Sequence, residues 1–202
     1  MPKFRSFTTK FIFISLILLT FIGIYIYTDF SFTQYMKGEA RAINLSGKLR
    51  KNSFEMAWLT QMLTKKYAPQ TRKFIIEDLK DDISEFEKTI IDLKNGNEEL
   101  HIKPIARYED SVLIFNKILD EWNSYFKPLL LNIMEQGENT SEETLKILAD
   151  KYSLRVHEYV YQVIDKFVTS RETNYETAIK RFDILRFYIF GFFAVGAVFI
   201  VL

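Results

Sequence analysis

Residues 40–63 read ARAINLSGKLRKNSFEMAWLTQML, and two sets of residues recur in this stretch with helical spacing. The first seam, which predicts an ordinary core stripe, consists of Leu45, Leu49, Asn52, Met56, Leu59 and Leu63. The second seam consists of Ile43, Gly47, Arg50, Phe54, Ala57 and Gln61. The two seams are offset by two residues, which is about 200° around a helix. Because a helix in an isolated bundle needs only one apolar seam, the second seam predicts a further interface, most simply a twofold dimer.

The composition of the 202-residue chain also favours helices. With only 7 Gly and 4 Pro, the chain is short of the turn-forming residues that a β-sandwich or a series of small α/β units requires. Hydrophobic residues make up 48% of the chain, which is too many for a disordered protein. The absence of Cys excludes a disulfide scaffold, a thiolate zinc site and a Cys nucleophile, and two His make a histidine-rich metal centre unexpected. The predicted fold class is all-α.

An uncharged run near the N-terminus predicts a membrane anchor. Residues 11–28 carry no charged side chain, which is close to the roughly 20 apolar residues that a helix needs to cross a bilayer. Lys3, Arg5 and Lys10 precede the run, and by the positive-inside rule they place residues 1–10 in the cytoplasm. A cleaved signal peptide shares this charge pattern, but no small-residue cleavage site follows the run. We therefore expect an uncleaved transmembrane helix.

A second uncharged run ends the sequence. Residues 187–202 are uncharged, and we expect a second transmembrane helix over residues 185–202 that continues in a longer protein. Between the two spans, residues 29–184 carry 23 Lys or Arg and 26 Asp or Glu, mixed along the sequence. With the N-terminus inside, this segment is predicted to lie on the periplasmic side of the cytoplasmic membrane. It contains no basic block, so nucleic acid is not an expected partner.

The helical period continues through the segment between the spans and predicts four helices. They are expected over residues 29–68, 71–95, 107–136 and 141–184, and the first and last continue into the spans. Gly96 is expected to end the second helix, Pro128 to kink the third and Gly137 to stop it. The predicted architecture is therefore an antiparallel four-helix bundle that is flanked by two transmembrane helices.

Arg50 and Gly47, in the second seam, are the candidate ligand-binding residues. Gly inside a helix costs about 1 kcal/mol relative to Ala, so Gly47 indicates that another group approaches the backbone closely. A twofold dimer would bring two Arg50 side chains together, and a planar oxyanion between them suits their forked donors. Alternatively, Arg50 pairs with a carboxylate of the second or fourth helix and Gly47 only eases packing. The spacing leaves both interpretations open.

Residues 42–53, AINLSGKLRKNS, resemble the first-helix signature of PilJ-type sensor domains, the extracytoplasmic four-helix domains of type IV pilus chemotaxis transducers. The stretch is also similar to the corresponding segment of the NarX and NarQ nitrate and nitrite sensor kinases. The two-span layout and the pair Trp122 and Phe126 agree with this resemblance. The resemblance implies that Arg50 of each of two subunits binds a shared anion and that the backbone near Gly47 lies beside that anion.

Two residues depart from the family pattern. Lys51 stands where the family has a methionine, and Glu55 stands where it has a second arginine. The lysine adds a positive charge that favours an anion, whereas the glutamate adds a negative charge about one and a half turns from Arg50. The resemblance therefore makes nitrate one candidate ligand among the small anions.

Three functions fit these observations. The preferred one is the sensory input domain of a bacterial transmembrane receptor, of chemoreceptor or sensor histidine kinase type, which acts as a homodimer. The others are a membrane-tethered bundle that binds a partner protein and a membrane scaffold without a small-molecule ligand. We expect no enzymatic activity in this chain, since any catalytic output module would follow in a longer protein.

The remaining polar residues predict no chemistry. His101 and His157 lack partners at metal-ligand spacing, so neither a metal site nor a cofactor is expected. Asp81 and Asp82 are interpreted as solvated surface charges.

Overall fold

A computed structural model describes the backbone of residues 3–139 and 142–201. Side chains are described at residue 9 and from residue 11 onward, except at positions 13, 138–141, 194 and 197–202. The expected start of the fourth helix at residue 141 therefore lies outside the described residues.

Six α-helices make up almost all of the described chain. They are α1 (Lys3–Leu63), α2 (Pro69–Asn95), α3 (Glu109–Glu121), α4 (Lys127–Asn139), α5 (Glu142–Tyr159) and α6 (Asp165–Val201). A π-helical turn, Trp122–Phe126, joins α3 to α4, and a second one, Val160–Ile164, joins α5 to α6. The helices therefore form four long rods: α1, α2, α3–α4 and α5–α6. Within the described ranges the chain has no β-strand beyond one isolated bridge, Asn97 to Ile102, which confirms the all-α prediction.

The connection between α2 and α3 forms where the sequence predicts it. Gly96 ends α2 with a φ of 81°, a backbone conformation that Gly adopts without steric cost. Asn97 and Ile102 then exchange two backbone hydrogen bonds of 2.9 and 2.8 Å, which close a tight loop. His101 in this loop has a φ of 56°, and its carbonyl group lies directly against Gly38 of α1. A side chain at position 38 would collide with that carbonyl group.

One expectation about the third rod needs correction. The helix does not stop at Gly137 but continues to Asn139, and Gly137 instead lies against Ile76 of α2. A π-helical turn ends two residues before Pro128, at Phe126, and the expected kink at Pro128 stays a prediction. Since proline has no N–H to donate to Ser124, a wider turn at this point accommodates the missing hydrogen bond and the proline ring.

Residues Gly38–Asn174 form one compact unit, called here the central unit, around a single apolar core. The prediction that the first seam of α1 lies in the core is confirmed, because Leu49, Met56 and Leu63 are fully buried. Aromatic pairs fill the core between the other rods: Phe86 with Trp122 at 4.2 Å, Phe126 with Tyr159 at 4.5 Å and Phe115 with Phe167 at 5.3 Å between ring centroids. Burial of these large side chains is the main contribution to the stability of the unit.

Residues 1–37 and 175–202 form a second unit, called here the terminal unit. Its two helical segments are joined by aromatic pairs and one ion pair: Phe21 with Phe193, Tyr25 with Phe190, Phe32 with Phe182, and Asp29 with Arg186. One described helix is long and apolar enough to cross a membrane, in the part Ile14–Leu63, and its most apolar window has no buried residue. The second expected span, residues 185–202, lies partly outside the described side chains and remains a prediction.

Gly38→Ala should destabilise the central unit. The new Cβ would meet the His101 carbonyl, and overpacking of this kind typically costs about 1–3 kcal/mol, more than the helix propensity gained. Thermal unfolding followed by circular dichroism should show a lower midpoint. Gly137→Ala is the matched control, because a Cβ there would lie 3.4 Å from the flexible end of Ile76, an ordinary contact. Equal midpoints for the two variants would contradict the close approach at Gly38.

Candidate functional site

Arg50 lies on α1 with half of its side chain exposed. Its Nη1 donates a hydrogen bond of 3.1 Å to Oδ1 of Asp165, at the start of α6. Within one chain, Arg50 therefore has the carboxylate partner on the fourth rod that one of the two sequence interpretations expects. An anion at Arg50 would have to compete with Asp165, and the anion site remains a prediction.

Gly47 stands one turn before Arg50 and has no packing role inside the chain. A Cβ built on Gly47 would have no heavy atom of another residue within 4 Å, apart from its own helix backbone and chain neighbours. The interpretation that Gly47 eases packing within the bundle thus finds no neighbour to support it. Gly47 leaves an open notch on α1, beside the exposed half of the Arg50 guanidinium.

The rest of the second seam is partly used within the chain. The ring of Phe54 lies 5.2 Å from that of His157, and Nε2 of Gln61 donates hydrogen bonds of 3.0 Å to Asp150 and to Ser153. These contacts arise because α1 touches the α5–α6 rod as well as the core. The seam therefore does not face outward along its whole length, as a pure dimer seam would.

Large apolar side chains remain exposed beside this edge. Trp58 of α1 is 60% exposed and Leu154 of α5 is 77% exposed. Because Gln61 and Phe54 contact α5 on either side of this level, Trp58 and Leu154 lie at the same height of the bundle. Together with Gly47 they form what we call the α1–α5 face. Large apolar side chains that stay exposed at one level of two neighbouring helices are candidates for a surface that another protein covers.

The two residues that depart from the family pattern are turned toward each other and toward α2. Lys51 forms an ion pair of 3.0 Å with Glu55, one turn further along α1. On α2, Glu85 accepts hydrogen bonds from Lys48, at 2.5 Å, and from Asn52, at 3.0 Å. The hydrogen bond from Lys48 is the largest cause that lowers the pKa of Glu85. Lys51 is thus paired with Glu55 in this cluster.

Asp82 is the one group of this cluster that the sequence analysis misjudged. It is partly buried, and burial together with the charges of Glu55 and Glu85 raises its pKa from 3.8 to about 6. Its Oδ2 is buried without a hydrogen-bond partner. Asp81, in contrast, is exposed. Helical spacing is the signal that separates the two residues, because Asp82 stands three residues after the buried Leu79 and four before the buried Phe86 and so lies at the edge of the core face.

Two further observations on the described residues bear on other ligand sites. No group of three or more His, Cys, Asp or Glu side chains among the described residues could hold a metal ion. A cavity of about 60 Å³ lies between Glu121 of α3 and Arg155 of α5. Arg155 there already donates hydrogen bonds to Glu121, at 3.0 and 3.2 Å, and to Glu158, at 2.6 Å. The guanidinium group of Arg155 in this groove is therefore already paired with two carboxylates of the same chain.

Comparison with protein families supplies the assignment. Residues 32–147, more than half of the chain, match the family model described as "Type IV pili methyl-accepting chemotaxis transducer N-term", or PilJ. The chain belongs to the PilJ family. The matched segment includes the stretch around Gly47 and Arg50 and extends into α5, so the chain carries a sensory domain of the signal-transduction type. Comparison with curated proteins and with solved structures gives no match.

Asp82→Asn should stabilise the PilJ domain at neutral pH. The folded state holds the proton of Asp82 more tightly than the unfolded state, so stability is greatest below the unfolded pKa of 3.8 and falls as the pH rises to about 6. Because Asn carries no charge to bury, the variant should have a free energy of unfolding that is higher by about 1 kcal/mol at neutral pH. This value allows for solvent screening of the partly exposed group. Chemical denaturation at neutral pH and near pH 4 measures the difference.

Asp81→Asn is the control, because it removes a charge of the same sign from the neighbouring exposed position. The variants should differ at neutral pH and converge in acid. A destabilised Asp82→Asn at neutral pH would show that the carboxylate is favourable where it lies.

Proposed function

We propose that this chain is the membrane-anchored input domain of a bacterial chemoreceptor or sensor histidine kinase, that it acts as a homodimer, and that it binds a small oxyanion such as nitrate or nitrite at Arg50 and Gly47. The observation that carries the proposal is the open notch at Gly47, one turn before the half-exposed side chain of Arg50. In this proposal residues 11–28 span the cytoplasmic membrane, residues 29–184 lie in the periplasm and residues 185–202 return through the membrane.

The chemistry of the site follows from its charges. Two Arg50 side chains that meet across a twofold axis repel each other, and an anion between them removes the repulsion and accepts their N–H donors. Asp165 competes for the same donors within each chain. When the anion takes over Arg50, the link from α1 to the start of α6 is released. Binding at the seam would thereby change how α1 and α6 are held together, which is the differential contact that a sensor needs.

Anion binding should raise the thermal midpoint of the full chain in lipid nanodiscs. Binding to the folded state alone stabilises it by about 2.7 kcal/mol at a hundredfold excess over the dissociation constant. The anions to compare are nitrate and nitrite, with chloride as the reference. Arg50→Ala should abolish the shift. Asp165→Asn should enlarge it, because the competing carboxylate is lost.

Arg41→Ala is the matched control, since it removes the same charge from an exposed position of the same helix. It should keep the shift seen with the unchanged chain. If no anion shifts the midpoint of a folded chain, or if the Arg41 and Arg50 variants lose the shift equally, the anion site is wrong.

The exposed α1–α5 face supports the homodimer part of the proposal. Replacement of both Trp58 and Leu154 by Glu should shift the chain from dimer to monomer in analytical ultracentrifugation, because charges would be buried without partners. Leu113→Glu is the control, since Leu113 of α3 is 71% exposed and lies on another helix. Dimerisation that survives the double replacement would exclude this face as the dimer contact.

A second candidate function is recognition of a partner protein, or a scaffold role, without a small-molecule ligand. The hydrogen bond from Arg50 to Asp165 favours it, because the arginine already has an acceptor within the chain. The exposed Trp58 would then serve as an anchor for the partner. A chain that shows no anion shift, and stays monomeric with the α1–α5 face intact, would favour this second function.

A further inference from the structure

A buried ion pair joins α1 to α6 at one end of the central unit. Nη2 of Arg171 donates a hydrogen bond of 2.6 Å to Oε2 of Glu39, and both side chains are only 1% exposed. Arg171 is among the largest fully buried side chains of the described chain. A pair of charges so completely removed from water is unusual in an otherwise apolar core.

Tyr108 holds both members of the pair. The guanidinium carbon of Arg171 lies 3.9 Å from the centroid of the Tyr108 ring. The hydroxyl group of Tyr108 donates a hydrogen bond to Oε1 of Glu39. Tyr108 comes just before α3, at the end of the loop whose His101 carbonyl lies against Gly38. Three segments of the chain therefore meet in one polar cluster, which we call the clasp and define as Glu39, Tyr108 and Arg171.

The clasp is not arranged for greatest stability. Nε and Nη1 of Arg171 are buried and have no hydrogen-bond partner. Unsatisfied donors of a buried cation carry a desolvation penalty, and apolar side chains of similar volume often replace such pairs without loss of stability. A buried ion pair that costs stability is best explained by the specificity that it gives to the alignment of the two helices. A buried charge pair is satisfied in one alignment of two helices and in no other.

Neighbouring contacts extend this polar layer. The hydroxyl groups of Ser111 and Ser170 lie 2.7 Å apart, and Asn174 donates a hydrogen bond of 3.2 Å to Ser111. One step further into the unit, α3 and α6 meet through the apolar rings of Phe115 and Phe167. Apolar contacts have no required direction and can form again with new neighbours after a helix has shifted, whereas directional hydrogen bonds and a buried ion pair need one particular partner geometry.

We propose that the clasp is a register latch, which holds α1 and α6 at one axial alignment and must open for the two helices to slide past each other. The latch lies at the end of the central unit from which α1 and α6 lead into the terminal unit. The proposal rests on the proposed sensory function, because it makes the clasp the element that a signal has to release.

Disulfide trapping tests the latch directly, since the chain contains no Cys of its own. Gln61 and Ser153 are in contact across α1 and α5, so the pair Gln61→Cys with Ser153→Cys reports the present register. The pair Gln61→Cys with His157→Cys reports a displacement of about one helical turn. Each pair is placed in the full chain, in membranes, with the clasp intact or with Glu39→Met and Arg171→Met together.

With the clasp intact, only the first pair should cross-link quickly. With the two Met replacements the second pair should cross-link several-fold faster, while the thermal midpoint stays the same or rises. Glu121→Met with Arg155→Met is the matched control, because it replaces a partly exposed ion pair between α3 and α5. That control should leave the cross-linking pattern unchanged.

Unchanged cross-linking in the Met variant would overturn the latch, and so would loss of the folded state, because the proposal requires the fold to survive without the pair. Tyr108→Phe gives a second measurement. It removes only the hydroxyl group that donates to Glu39. It should also increase the rate of cross-linking in the pair Gln61→Cys with His157→Cys. Since neither nitrate nor nitrite is added in these experiments, their failure is distinct from failure of the anion site at Arg50.

Discussion

Burial of the first seam of α1 is the constraint on which the rest of the central unit depends. Leu49, Met56 and Leu63 are fully buried and place this face of α1 in the core. Once that face is fixed, the 3.6-residue period sets the direction of every other side chain on the helix. Arg50 is directed to the edge with α6, Lys48 and Asn52 to the edge with α2, and Gly47 to open space.

The polar edges on the two sides of α1 differ in how fully they are paired. Toward α6, Arg50 and Asp165 form one partly exposed pair, the place of the proposed anion site. Toward α2, three carboxylates lie near Lys48 and Lys51, and burial together with the charges of Glu55 and Glu85 raises the pKa of Asp82. In the proposed sensor, Arg50 at the first edge can exchange Asp165 for another acceptor. The second edge changes its charge when Asp82 binds a proton.

The apolar and polar layers of the central unit have different mechanical consequences. Most of the core consists of aliphatic and aromatic contacts, which are non-directional and can form again between other side chains after a helix has shifted. The clasp of Glu39, Tyr108 and Arg171 is the opposite case, because its hydrogen bonds and its ring stacking depend on direction and distance. A bundle with one such layer at the end of an apolar core has a defined register and a defined place where that register can be released.

The sequence by itself determined the all-α class, the first seam, the end of α2 at Gly96 and the family signature around Arg50. These follow from local rules: helical periodicity, the conformational freedom of glycine and a contiguous motif. Local rules failed at Gly137, because α2 approaches it, and at Asp82 of α2, because the bundle partly buries its side chain. Only the tertiary structure decided that Arg50 meets Asp165 and that Glu39 meets Arg171. These partners stand more than a hundred residues apart in the sequence, and their pairing is set by the axial alignment of the rods, which depends on how the whole core packs.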